Sequence, residues 1–209
     1  MADDAKDDPP PPKKRKAEMK ITVYYWGPSQ MNCYGRAIGI YAALNQAGIS
    51  YECQPPSAMP QGAAFATPCV DIDGLVLGQT PTILMHLGTE LGLAGSSPHE
   101  TAQISQALMD FNDIFSEQAK FLEKPERAAK WLSYLDAKMK AGNTTWAAGT
   151  PEATVADFHG VFAFEWLVKK NIDFTTDYPH IAKWWEAVQK VPGVKALYDG
   201  CVDGRTMLP

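Results

Sequence analysis

The 209-residue sequence lacks several features that would assign it to a broad class at once. No apolar run approaches the roughly 18 residues that cross a membrane, and no apolar stretch typical of a secretory leader lies near the amino terminus. The four cysteines are widely spaced with no Cys-x-x-Cys pair, and the four histidines show no metal-ligand spacing. We therefore expect a cytoplasmic protein with reduced thiols, no bound metal and no membrane partner.

Positive charge is also scarce, with 19 Lys and Arg against 24 Asp and Glu, a net charge of -5 and a pI of about 5.4. Binding to nucleic acid needs clustered positive charge, so no nucleic-acid partner is expected. The exception is the basic run at residues 13–16, which follows four prolines inside a segment without apolar periodicity. Residues 1–20 are predicted to be a disordered tail. Its basic run either only solubilises the chain or is a nuclear-import signal, which would add a nuclear pool.

The chain as a whole has an ordinary globular composition, with 45% hydrophobic and 21% charged residues. After the tail, the first part of the chain mixes β-branched runs, helical spacing and turn signals. In order, these patterns predict a strand at 21–26, a helix at 36–47, a strand at 49–53, a loop at 54–67, a hairpin around Asp73-Gly74 and a helix capped by Thr80-Pro81. A four-stranded mixed sheet with helices packed against it satisfies this order.

From Ser97 onward the periodicity is helical, and no strand pattern appears after residue 77. Ser97-Pro98-His99-Glu100 is typical of a capping box, and Thr154 to Asp157 forms a second capped start ahead of an apolar helix. The predicted domains are therefore an α/β domain at residues 21–95 and an all-helical domain at residues 96–209.

Three stretches together resemble the cytosolic glutathione transferases. Residues 67–88 run through Thr-Pro, a strand, Asp-Gly, a strand, Gln-Thr and an Ile-Leu helix, which resembles the glutathione-binding half of that family. Residues 154–194 resemble its capped core helix and carboxy-terminal segment, and residues 35–52 are similar to the first helix and second strand of the tyrosine-type (pi, sigma and mu) classes. The resemblance implies a thioredoxin-like domain followed by an all-α domain.

The resemblance also implies glutathione as co-substrate and a set of contacts to it: Arg36, Thr67, Pro68, Gln79, Thr80 and Asp110. A cis Pro68 would direct the backbone of Thr67 to the cysteinyl group, and the helix start at Gln79 and Thr80 suits the γ-glutamyl carboxylate. For Thr80 the alternative is a plain helix cap. Arg36 either serves the site or pairs with an acid of the second domain. Asp110 either reaches across a homodimer or is a solvated carboxylate.

Three residues compete to activate the thiol of glutathione. Tyr25 matches the tyrosine-type classes, although its distance from Gly35 is longer than usual in those classes. Ser29 matches the serine-type classes, and Cys33 would imply thiol exchange by the protein's own sulfur. A hydroxyl bonded to sulfur favours the thiolate, which is the nucleophile.

Two further features bear on function. The family usually places a Trp or Lys for the glycyl carboxylate between residues 53 and 67, and this segment has neither. Trp26 and Met109 are candidates for an apolar pocket that holds an electrophile, and the alternative is that they belong to the core between the two domains. The expected activity is therefore transfer of glutathione to a hydrophobic electrophile, or related isomerase, peroxidase or lyase chemistry, in a homodimer. The alternative is a non-catalytic protein-interaction or ligand-carrier module.

Overall fold

The computed structural model describes residues 19–26, 33–201 and 206–209. The basic run at residues 13–16 and the candidate Ser29 lie outside the described residues. No helix in the described part of the chain is both long enough and apolar enough to cross a membrane.

The first half builds a four-stranded sheet, as the sequence predicts. Its strands are β1 (Ile21–Tyr24), β2 (Glu52–Gln54), β3 (Cys69–Ile72) and β4 (Leu75–Gly78), in the order β2-β1-β3-β4. The pair β1–β2 is parallel and the other two pairs are antiparallel, so the sheet is mixed. Alternate side chains point to opposite faces. One face is apolar and buried, with Val23 and Val70 at its centre.

Two helices share a core with this apolar face: α1 (Ile38–Ala47), which follows a 3-10 turn at Gly35–Ala37, and α2 (Thr80–Leu91). The opposite face carries Thr22, Tyr24, Glu52, Gln54 and Asp71. Residues 55–67, which connect β2 to β3, contain a single 3-10 turn at Pro56–Ala58. The predicted loop is therefore confirmed, and no helix of that segment covers the polar face.

The second half consists of helices: α3 (Pro98–Glu117), α4 (Pro125–Gly142), α5 (Val155–Lys169), α6 (Pro179–Val188) and α7 (Pro192–Cys201). Helix α5 is buried along most of its length and packs against α3 and α1. Its start is the predicted capping box, in which Asp157 accepts hydrogen bonds from Thr154 and also from the indole N–H of Trp184. Asp157 is therefore a structural residue of the core.

The end of the chain returns to the first half. Helix α7 packs against α1, and the backbone N–H of Gly193 donates to the side chain of Gln46 at 2.9 Å. The N–H groups of Tyr34 and Gly35 donate to carbonyls of residues 206 and 207. One continuous hydrophobic core joins the two halves. The boundary at residue 95 therefore marks a change of sequence pattern, and its role as a boundary between two separately folding domains stays a prediction.

Candidate active site

A pocket of about 440 Å³ lies where the connection into β3 meets the end of β4 and the start of α2. Four of the predicted contacts, Thr67, Pro68, Gln79 and Thr80, line it together with a fifth, Arg36. The remaining lining residues are Ala63, Ala64, Phe65, Ala66 and Gly78. The structure thus brings five of the six predicted contacts of glutathione into one cavity.

The start of α2 forms one wall of this pocket. Gln79 adopts a positive φ of 63° and precedes the first residue of α2, and no side chain caps the helix there. Thr80 is buried, and its hydroxyl has no hydrogen-bond partner among the described residues. The interpretation of Thr80 as a helix cap is therefore wrong, because a cap needs its side-chain oxygen to accept a backbone N–H in the first turn. An unpartnered buried hydroxyl beside the positive end of a helix suits an anionic ligand.

The connection into β3 forms the neighbouring wall. The Thr67–Pro68 peptide bond is cis, as the resemblance implies. The connection also lies directly on β4, because a Cβ added to Gly78 would lie 2.6 Å from the Cβ of Ala64. Real Cβ atoms do not approach so closely, so a side chain at position 78 would push the wall outward.

Tyr25 lies just beyond the end of β1, and its hydroxyl accepts the backbone N–H of Arg36 at 2.8 Å. Gly35 permits this contact: its φ is +50°, and a Cβ there would lie 2.5 Å from the Tyr25 oxygen. Burial raises the pKa of Tyr25, while the hydrogen bond from Arg36 lowers it. Since the raising effect is the larger, Tyr25 stays protonated near neutral pH, and its own O–H remains available to donate.

Arg36 connects the pocket to the helical half. Its guanidinium carbon lies 4.6 Å from the centre of the Phe115 ring on α3. The ion pairs of the described residues do not include Arg36. Of the two interpretations of this arginine, the described contacts favour a residue of the site over one paired with an acid of the second domain.

A buried histidine lies close to this arginine. Phe115 packs on Phe162 at 4.5 Å between ring centres, and Phe162 lies 6.0 Å from the ring of His159. Burial and the charge of Arg36 lower the pKa of His159 to about 3, so the imidazole is neutral at physiological pH. Neither of its ring nitrogens has a hydrogen-bond partner among the described residues. Sequence reasoning gave His159 no role, because a lone histidine in an apolar helix carries no distinctive pattern.

The other candidate for activation within the described residues is Cys33. It is 4% exposed, and its backbone pairs with residue 206 in an isolated bridge. Burial raises the pKa of its thiol, against a smaller lowering by Lys169. A buried protonated thiol is a weak nucleophile, so the structure disfavours Cys33 relative to Tyr25.

Five predicted residues of the described chain do not line the pocket: Tyr25 and Cys33, treated above, and also Asp110, Trp26 and Met109. Asp110 on α3 accepts hydrogen bonds from Tyr134 at 3.0 Å and from Lys138 at 2.8 Å, both on α4. It is therefore not a freely solvated carboxylate within its own chain, and its reach across a dimer stays a prediction. Trp26 and Met109 are 45% and 46% exposed, so neither side chain is buried in a core between the two halves. No group of three or more His, Cys, Asp or Glu in the described chain is arranged to hold a metal ion.

Comparison with known proteins agrees with this geometry. The family model of the glutathione S-transferase C-terminal domain matches residues 95–192. Glutathione S-transferase 1 of Ascaris suum is 26% identical over 196 residues, covering 76% of this chain and 94% of its own. Hematopoietic prostaglandin D synthase of Gallus gallus is 27% identical over 184 residues, covering 79% and 90% respectively. The crystal structure of the glutathione S-transferase from Ascaris lumbricoides superposes with a TM-score of 0.70 at 22% identity, covering 89% of this chain and 97% of that one. Together with the mixed sheet and the helical half, these matches show that the chain has the fold of the cytosolic glutathione transferases and is similar to them in sequence.

Proposed function

We propose that the protein is a glutathione transferase that binds glutathione in the pocket at the start of α2 and activates its thiol with Tyr25. One observation carries the proposal: the buried Thr80 hydroxyl, unpartnered among the described residues, lies in a pocket together with Arg36, Gln79 and the cis Thr67–Pro68 bond. A buried polar group costs stability unless something bonds to it, so its place in a cavity wall favours a ligand there.

The γ-glutamyl carboxylate fits the start of α2. Backbone N–H groups in the first turn of a helix lack partners within the helix, and the helix dipole favours negative charge there. Thr80 adds a hydroxyl donor to these groups, and the side chain of Gln79 can supply an amide. The backbone of Thr67 can then pair with the cysteinyl part of the tripeptide, as an added strand pairs with a sheet edge.

Tyr25 can stabilise the thiolate as a hydrogen-bond donor. The ordinary pKa of a thiol is about 8.5, so most glutathione is protonated at neutral pH. The Arg36 N–H uses a lone pair of the Tyr25 oxygen and leaves the phenolic proton free to point at sulfur. In the reaction the thiol proton passes to solvent, and the thiolate sulfur then forms a bond to the electrophilic carbon of the acceptor. The leaving group departs with the electron pair of its bond to that carbon, as chloride does from chlorodinitrobenzene. Tyr25 supplies a hydrogen bond and transfers no proton of its own.

The acceptor would lie against the helical half, where Met109 is exposed and Phe115 packs under Arg36. The exposed Trp26, which follows β1, would contact it from the first half. Isomerisation, peroxide reduction or lyase chemistry would begin from the same thiolate. Asp110 would serve the site only from the partner subunit of a homodimer. The location we propose is cytoplasmic, with a nuclear pool if the basic run at residues 13–16 is read by import machinery.

Calorimetric titration with glutathione and S-hexylglutathione near neutral pH tests the proposal. Thr80→Val removes the hydroxyl and keeps the shape. We expect it to weaken binding of both ligands by about 10- to 100-fold, because a hydrogen bond to a charged group is worth roughly 1.5–3 kcal/mol. Thr82→Val, an exposed position in the same helix, is the matched control and should leave binding unchanged. If neither ligand binds the unmodified protein, the enzyme proposal fails and a non-catalytic module becomes the better description.

A further inference from the structure

One stretch of the pocket wall consists of apolar side chains in sequence. Residues Ala63 to Ala66 line the cavity, and Phe65 among them is 103% exposed, so its ring has no cover within the described chain. Ala64 fixes this stretch against Gly78 of β4. A fully bare aromatic side chain at the rim of a cavity is uncommon, and it gives an incoming ligand apolar surface to cover.

The proposed orientation of the thiol decides which part of it meets this wall. The γ-glutamyl end is held at Thr80, and the cysteinyl part pairs with Thr67, which directly follows the apolar stretch. The wall that remains for the carboxy-terminal end of the thiol is therefore residues 63–66. Arg36 contributes the positive charge of the described lining, and its guanidinium is stacked on Phe115 toward the helical half.

A carboxylate and an uncharged group behave differently against such a wall. A carboxylate placed against three methyl groups and a phenyl ring loses hydration, and residues 63–66 offer it no charge partner in return. An ester or amide at the same place loses less hydration, and its alkyl part covers the ring of Phe65.

We propose that the pocket selects γ-glutamylcysteinyl thiols whose carboxy-terminal end is uncharged, and that Phe65 is the residue that sets this specificity. The proposal rests on the proposed function, because it takes the γ-glutamyl and cysteinyl parts to be bound at Thr80 and Thr67. It extends that function to a class of thiol in which the free glycyl carboxylate is absent or masked.

The first test compares dissociation constants of the full-length protein for glutathione and for its glycyl monoethyl ester, measured by calorimetry in one buffer. We expect the ester to bind between about threefold and tenfold more tightly than glutathione. Equal binding of the two thiols, or tighter binding of glutathione, would overturn the proposal and leave the proposed function intact. If neither thiol binds, both fail.

The second test asks whether a positive charge at position 65 changes the preference between the two thiols. Phe65→Lys places a cation at the rim, and we expect it to shift the ratio of the two dissociation constants toward glutathione by at least fivefold. Phe65→Gln, which has no charge, is the matched control and should not produce that shift. Position 65 is fully exposed, so neither substitution disturbs the core. An unchanged ratio in Phe65→Lys would also overturn the proposal, because the carboxy-terminal end of the thiol would then not lie at residue 65.

Discussion

Substituting Gly35 by alanine should displace the hydroxyl of Tyr25, which we propose activates the thiol. Gly35 has a φ of +50°, in the left-handed region where a Cβ costs roughly 1–2 kcal/mol. The added Cβ would also lie 2.5 Å from the Tyr25 oxygen. To reach ordinary contact the hydroxyl must move by about 1 Å, which breaks its bond to the Arg36 N–H and costs about 1 kcal/mol more. We therefore expect a total loss of about 2–3 kcal/mol in the free energy of unfolding.

Gly48→Ala provides the control for the backbone term. Gly48 has a similar φ of +68°, and a Cβ there meets nothing within 4 Å. It should therefore lose only the roughly 1–2 kcal/mol of the left-handed conformation. Guanidinium unfolding of the two variants, compared through their midpoints at constant slope, measures the difference. The displaced hydroxyl should also raise the pKa of bound glutathione toward 8.5 in Gly35→Ala and not in Gly48→Ala, followed by thiolate absorbance. Equal stabilities together with equal thiolate pKa values would refute this account of Tyr25.

Two further predictions follow from groups near the pocket. Tyr25→Phe should raise the pKa of bound glutathione toward 8.5 and slow conjugation of chlorodinitrobenzene at pH 6.5 by about 10- to 100-fold. This is the range expected for the loss of one hydrogen bond to a charged group. An unchanged rate would mean that another hydroxyl activates the thiol. The pKa of His159 is lowered to about 3, below its ordinary value of 6.5, so the unfolded chain binds this proton more readily. The contribution of this group to the free energy of unfolding is therefore fully present above pH 6.5. Below that pH the free energy of unfolding falls by up to about 1.4 kcal/mol per pH unit, and His159→Leu should remove this slope. A His159 proton resonance that titrates near pH 6 would contradict this assignment.

The elements that the sequence predicted best are those fixed by local chemistry. The hairpin at Asp73-Gly74 forms because both residues adopt positive φ and the N–H of Gly74 donates to Asp71 at 2.7 Å. Strand β2 was predicted at residues 49–53 but runs from Glu52 to Gln54, where all three side chains are exposed. The position of β2 is set by its pairing with β1, in which Glu52 lies opposite Thr22. The spacing of apolar residues does not predict this pairing, because β2 is an exposed strand at the edge of the sheet.

The site shows the same division between local and long-range information. Resemblance named Thr67, Pro68, Gln79 and Thr80, and these lie together because two adjacent connections of one sheet hold them. The contact between Tyr25 and the N–H of Arg36 spans eleven residues and depends on a positive φ at Gly35, which the sequence does not express as a motif. Phe65 gave no signal, because one aromatic residue in a loop has no periodicity to interpret.

The connection between β2 and β3 would allow the binding specificity that we propose to vary separately from the fold. The face of the sheet that this connection leaves open is polar: Glu52 and Gln54 are exposed and Asp71 is half-buried. Such a face needs no apolar cover, so the absence of a helix over residues 55–67 costs the core little burial. The same connection forms the apolar wall of the pocket at residues 63–66, and none of those four side chains is buried. Substitutions in the wall can therefore change which thiol is bound while the core that holds Thr80 and Tyr25 in place is preserved.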